Sequence, residues 1–371
     1  MSTRLLVVAG AVATTLLLAA CSSSSSSTPT GGGSTTPTGS AQVGVILPDT
    51  ASSARWEAND RPLLTAAFQA AGVTADIQNA NGDVAKFQSI ADGMIAEGVK
   101  VLMIVNLDSA SGAAVEKKAA AAGIATIDYD RLTLGGGAKY YVSFDNVAVG
   151  TKIGEGLATC LTAAGKMGAS AKVVELNGSP TDNNATLFKQ GYDAVIKAKG
   201  YTIVADQSVP AWDNTQAGTL FEQIFTKTGG KIDGVASAND GLGGAVVAVL
   251  QRNGLAGKVA VTGQDATDEG LQRILLGTQC MTVYKAVKKE ADAASALAIA
   301  LIKGDTASAS ALATKTVTDS TTGKAVPAVL LVPQSITAAT VKDVIADGFT
   351  TMARVCTTPA LVAACKTNGI S

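Results

Sequence analysis

Apolar runs in this chain stop, one after another, in carboxylates, amides or cations. The clearest is Gly123 to Arg131, Gly-Ile-Ala-Thr-Ile-Asp-Tyr-Asp-Arg, where β-branched residues give way to two carboxylates, a phenol and a guanidinium. A run of this length, bounded by glycine and polar residues, predicts a buried parallel strand. In open α/β sheets ligands bind beyond the carboxyl ends of the strands, so charged side chains placed there are candidate contacts. The same ending recurs at Asn106-Leu107-Asp108, Asp145-Asn146, Asn177 to Asn184, Asp213-Asn214, Asn239-Asp240, Gln264-Asp265 and Lys285. Taken singly, an Asp or Asn after a strand reads as the N-cap of the next helix, and Asp240, Asp268 and Thr181 read as caps. Taken together, acceptors and donors in both halves of the chain suit a polyhydroxylated ligand, whose hydroxyls each donate and accept.

Two tryptophans sharpen that expectation. Trp56 and Trp212 are the only ones in the chain, one in each half, and both sit in polar loops rather than apolar runs. The C–H faces of a sugar ring stack on indole while its rim takes hydrogen bonds. Other chemistry is excluded by composition. With 0 histidines, His-based acid–base catalysis, Ser-His-Asp triads and His-ligated metals fall away. A net charge of −1 gives no electrostatic reason to expect nucleic acid. Gly241-Leu242-Gly243-Gly244 follows a strand but lacks the dinucleotide spacing, so it reads as close helix–strand packing.

The elements that must position these tips alternate. Strands are expected at Gln42 to Leu47, Thr74 to Gln78, Val101 to Val105, within Gly123 to Arg131 and at Tyr140 to Phe144, with helices between them and Gly72 placed to end the first helix. A second series follows at Lys172 to Leu176, Thr202 to Ser208, Gly234 to Ala236, Val259 to Thr262 and Met281 to Tyr284. Repeated βα units with short connections predict α/β architecture with doubly wound parallel sheets. Two series of similar length predict two lobes. The chain would cross between them near Asn146, near Lys285 and around Val326 to Val332, giving one lobe from 42–146 plus about 286–325 and another from 147–285 plus about 326–371.

The amino terminus stands apart. Arg4 precedes an apolar run from Leu5 to Ala20, too short for a stable transmembrane helix, which ends Leu18-Ala19-Ala20-Cys21. That resembles a bacterial lipobox, so residues 1–21 read as a signal peptide whose Cys21 is lipidated. Residues 22–41, built almost wholly of Ser, Thr, Gly and Pro, read as a tether. Export permits disulfides. Cys356 and Cys365 are near neighbours suited to a local bridge, which leaves Cys160 with Cys280 by elimination, and no spacing suits zinc.

The strings Arg-Trp at 55–56, Asp-Tyr-Asp-Arg at 128–131, Ser-Phe-Asp-Asn at 143–146, Gly-Ser-Pro-Thr-Asp-Asn-Asn-Ala at 178–185, Ala-Ser-Ala-Asn-Asp at 236–240, Gly-Gln-Asp-Ala at 263–266 and Met-Thr-Val-Tyr-Lys at 281–285 closely resemble D-xylose-binding proteins of ABC transporters. That family has the type I periplasmic binding fold, two Rossmann-like lobes joined by a three-strand hinge. The resemblance spans roughly Val43 to Phe349. It implies that Arg55, Asp130, Arg131, Asp182, Asn184, Asn239, Asp265 and Lys285 hydrogen-bond a monosaccharide and that Trp56 and Trp212 form its aromatic walls. An aromatic expected near Ser208 is missing.

The expected protein is thus an extracytoplasmic, lipid-anchored and monomeric substrate-binding component of a sugar importer. It would take D-xylose, or alternatively ribose, arabinose or glucose, and hand it to membrane permease and ATPase subunits, with no cofactor or metal and no nucleic acid. A glycosidase reading would use pairs among Asp130, Asp145, Asp182 and Asp265, but each has cationic or amide neighbours that keep it ionised. A sugar-responsive transcription regulator would need a DNA-binding headpiece before Gln42, and none is there.

Overall fold

The computed structural model describes residues 40–371; the expected leader, its Cys21 and the tether up to residue 39 lie outside the described residues. Ala41, inside the expected tether, packs against the core, and the Ser40 carbonyl accepts from Thr74 Oγ1 at 3.1 Å.

The first series forms β1 (Val43–Leu47), β2 (Ala75–Asn79), β3 (Val101–Ile104), β4 (Ala125–Tyr129) and β5 (Tyr140–Phe144). The second forms β6 (Lys172–Asn177), β7 (Thr202–Ser208), β8 (Gly234–Ser237), β9 (Ala260–Val261) and β10 (Thr282–Tyr284). Three more strands follow: β11 (Lys315–Thr318), β12 (Ala325–Leu331) and β13 (Gln334–Ile336). The first sheet runs β11-β12-β5-β4-β3-β1-β2, the second β7-β6-β8-β9, and β10 pairs with β13. All pairings are parallel except β11–β12 and β10–β13. β1, β3 and β5 are buried throughout, as expected of strands covered by helices on both faces.

In both sheets the strand order reverses at the first strand of the series, between β1 and β3 and between β6 and β8. At such a switch point the following connections leave on opposite faces and open a crevice at the carboxyl edge. Two crevices facing each other make a cleft. The lobes are joined after β5, where Asp145 N–H donates to the Leu331 carbonyl at 2.9 Å, after β10, and between β12 and β13. The third crossing falls at the far end of the expected range Val326 to Val332, because β12 pairs with β5 through Leu331 and so belongs to the first sheet. The chain beyond β13 packs onto the helix Asp268–Leu275 of the second lobe through Val341, Val344, Val355 and Leu361. The structure joins Cys356 to Cys365 in this tail, and Cys160 to Cys280 in the second lobe.

One close approach fixes a helix that carries site residues. The helices Asn146–Ala163 and Asn183–Ala198 touch at Gly150 and Gly191. A Cβ on Gly150 would lie 2.0 Å from the Phe188 carbonyl oxygen, and one on Gly191 would lie 2.4 Å from the Thr151 nitrogen. Only glycine allows backbones this near, and so holds the second helix's N-terminus at the cleft.

Candidate functional site

β4 ends at Tyr129, and its end decides where the next side chains go. Strict alternation would send Asp130 and Arg131 to opposite faces. Instead Asp130 takes a left-handed backbone, φ 63°, while its N–H still donates to the Val142 carbonyl at 2.8 Å. Both side chains then line the cleft. Asp128, one strand period earlier, faces away and accepts from Thr133 N and Oγ1, both at 2.7 Å. Burial and the neighbouring Glu116 push its carboxyl well above the usual range. It serves the fold rather than the cleft.

Among the described residues the non-glycine residues with positive φ are Asn81, Asp130, Ala211, Trp212, Asp265 and Ala266. All but Asn81 are cavity residues or their immediate neighbours. Each such conformation costs on the order of 1–3 kcal/mol and persists where its surroundings over-determine it, typically at ligand sites.

Ionic pairs knit the first lobe's half. Arg55, 4% exposed, donates to both oxygens of Asp60 at 2.8 and 2.7 Å, to Asp130 Oδ2 at 2.8 Å and to Glu290 Oε2 at 2.6 Å. Its guanidinium carbon lies 4.5 Å from the centre of the Trp56 ring, and Trp56 Nε1 donates to Ser52 Oγ at 3.1 Å. The Asp130 side chain also accepts from Asn184 Nδ2 at 3.1 Å and lies 3.7 Å from Lys285 Nζ, which is itself 3.5 Å from Asp265.

The second lobe answers with residues that cap helices and reach the cleft together. Asp182 caps Asn183–Ala198 through Oδ1, accepting from Asn184 N–H at 2.9 Å. Its Oδ2 takes Trp212 Nε1 at 3.1 Å and Arg131 Nε of the first lobe at 3.0 Å. Asn239 caps Asp240–Arg252 and donates to the Ser52 carbonyl across the cleft at 3.3 Å. The caps therefore sit one residue before the expected Asp240 and Asp268, at Asn239 and Thr267, and one after the expected Thr181, at Asp182. Asp240 is instead a buried carboxyl that burial pushes up to about 6, held by Gln279 Nε2 at 2.6 Å and Thr267 N–H at 3.0 Å. Trp212 lies against the tip of β6, where a Cβ on Gly178 would fall 2.0 Å from the indole.

Arg55, Trp56, Asp130, Arg131, Asp182, Asn184, Trp212, Asn239, Asp265 and Lys285 all line one small cavity between the lobes. Ser52, Ser53, Phe188 and Gln264 complete it; of these only Gln264 lay within an expected polar tip, and none was among the expected ligand contacts. Ser208 is exposed; the further ring is Phe188, edge-on to Trp212 with centres 6.4 Å apart. The polyol-like donor and acceptor set, the two indoles and the near-complete burial suit a small ligand held by directional hydrogen bonds against flat apolar faces. Among the described residues no cluster of Cys, Asp or Glu could hold a metal ion.

The charges do not balance, and one acid yields. Burial pushes Asp130 up, yet Lys285, Arg55 and Arg131 outweigh it and bring its carboxyl down to about 2. Burial pushes Glu290, behind the cavity, up to about 8 although Arg55 opposes this. A carboxyl raised above its unfolded value near 4.3 stabilises the fold fully at low pH and loses that contribution as pH rises through the folded value; a depressed one does the reverse. Glu290→Gln is expected to flatten the alkaline limb of stability between about pH 5 and 9, leaving the acid limb below about 4 that Asp130 governs. Melting temperatures across that range would show it, and alkaline limbs of equal slope would exclude it.

Residues 43–306 match the periplasmic binding protein domain family. The chain is 34% identical to the D-xylose-binding periplasmic protein of Escherichia coli over 80% of this chain and 87% of that protein. It is 30% identical to a multiple sugar-binding periplasmic receptor of Rhizobium radiobacter, covering 82% of this chain and 89% of that one. Among solved structures, an ABC transporter solute binding protein from Clostridium phytofermentans with bound β-D-glucose superposes with a TM-score of 0.74 at 27% identity, covering 84% of this chain and 99% of that one.

Proposed function

The chain belongs to the periplasmic binding protein family, and on that premise we propose that it captures a monosaccharide, D-xylose by preference, between its lobes for an ABC importer. The carrying observation is the cavity itself. Carboxylates, amides and cations from both lobes converge on one small space walled by Trp56 and Trp212. A micromolar dissociation constant corresponds to about −8 kcal/mol. Spread over about ten heavy atoms of a pentose, that is within the range of an efficient small ligand.

The relatives are sugar-binding transport proteins, and the chain is a binding protein rather than an enzyme. A glycosidase needs a carboxyl that carries a proton near neutrality, and Asp130, drawn down to about 2, does not. Attachment to the membrane is assigned to lipid on Cys21, which places the body outside the cytoplasm; among the described residues no helix is long and apolar enough to cross a membrane.

A thermal-shift and calorimetric panel of D-xylose, ribose, arabinose and glucose tests the proposal, because a ligand of the native state raises its stability. D-xylose is expected to give the largest rise. Asp265→Ala is expected to weaken its binding at least roughly tenfold, since partner donors are left unpaired in a closed cleft. A tighter hexose would overturn the choice of sugar, and no response to any monosaccharide would overturn the function.

A further inference from the structure

Two cavity oxygens are left over by the fold. Gln264 is 4% exposed and lines the cavity, and its Oε1 is buried without a hydrogen-bond partner among the described residues. Ser53 Oγ, on the first lobe's side of the same cavity, is likewise buried and unpartnered. The other buried side-chain oxygens in this condition belong to Glu116, Asn146, Glu175 and Glu290, none of which lines the cavity. Native proteins rarely leave such groups unmatched, and where one borders a ligand cavity a ligand group is the natural partner.

Gln264 is also held as a preorganised contact would be. Its carbonyl accepts from Asp240 N–H at 2.9 Å, it bridges to Val283, and the following N–H donates to the Val283 carbonyl at 2.9 Å. The chain then turns through two left-handed residues, Asp265 at φ 99° and Ala266 at φ 51°. Along a regular strand Gln264 and Asp265 would point to opposite faces. Because of this turn both line the cavity.

We propose that Gln264 is a specificity-determining residue of the sugar site, its amide bonding one ring hydroxyl, with Ser53 supplying a second such contact from the opposite lobe. This rests on the monosaccharide function proposed above. A site built to bond a hydroxyl rejects the analogue that lacks it, because its own buried polar atom is then stranded. Removing the protein's half of the pair should cancel that rejection for one hydroxyl alone.

The test is calorimetry of D-xylose and its 2-deoxy, 3-deoxy and 4-deoxy analogues against wild type, Gln264→Met and Ser53→Ala. Gln264→Met is expected to bind D-xylose at least roughly tenfold more weakly. It should bind one deoxy analogue as wild type does, while the other two keep their full penalties. Ser53→Ala should show the same pattern with one hydroxyl. Wild-type affinity for D-xylose in Gln264→Met, or an equal loss for every analogue, would overturn the assignment, the latter marking a merely structural role. Ser53→Ala, a small change in a loop, keeps the test decisive should the methionine variant fail to fold. A wild-type protein that binds no D-xylose would instead fail the proposed function, and this inference with it.

Discussion

Trp212→Ala is expected to leave no measurable monosaccharide binding. The indole, 6% exposed, forms a wall of the cavity and is held in place three ways: Nε1 donates to Asp182 at 3.1 Å, Phe188 packs edge-on, and Gly178 leaves room for the ring against β6. Truncation removes the stacking face and also frees Asp182, which pairs with Arg131 across the cleft at 3.0 Å. A buried Trp→Ala change costs roughly 3–5 kcal/mol of stability in its own right. Trp212→Phe therefore serves as the companion variant, since it keeps a ring and should keep part of the affinity. Titration calorimetry on folded protein decides; unchanged affinity in the alanine variant would remove Trp212 from the site.

Arg55→Met is expected to destabilise the fold by about 3–5 kcal/mol, the usual outcome when one partner of a buried ionic network is removed. One guanidinium faces Asp60, Asp130 and Glu290, and all four side chains are almost fully buried. Without it three acids remain, and Asp130 keeps only Lys285 and Arg131 as nearby cations. Arg55→Lys should not rescue, because an ammonium cannot fork to several carboxylates in one plane. Denaturant unfolding measures the loss, and a change below about 1 kcal/mol, the worth of a surface pair, would mean that the network is not what holds this part of the cleft.

Much of the site was legible because strand ends are local events. An apolar run that stops in Asp-Tyr-Asp-Arg marks both the strand and its tip without reference to the rest of the molecule. What escaped notice depended on distant partners. Phe188 reads as one more apolar position of an amphipathic helix and enters the cavity only because Gly150 and Gly191 let two helices approach. Gln264 precedes Asp265 in one polar tip, and strand alternation would send the two to opposite faces; the left-handed pair at 265–266 that brings both to the cavity has no glycine to announce it. β11, Lys-Thr-Val-Thr, is polar and exposed along most of its length, and Pro327 interrupts the apolar run of its partner β12.

By itself the amino-acid sequence determined the alternation of strands and helices, the polar tips, the placement of one tryptophan in each half and the absence of histidine chemistry. These follow from periodicity and residue type, which act over a few residues. Only the tertiary structure decided who meets whom. Arg55 finds its carboxylates 5, 75 and 235 positions away in the chain. It also decided how each acid titrates: Asp130 is drawn down by three cations, whereas burial pushes Glu290 up to about 8. Charge in a dry cavity depends on every neighbour within a few ångströms, and those neighbours come from strand ends that folding alone brings together.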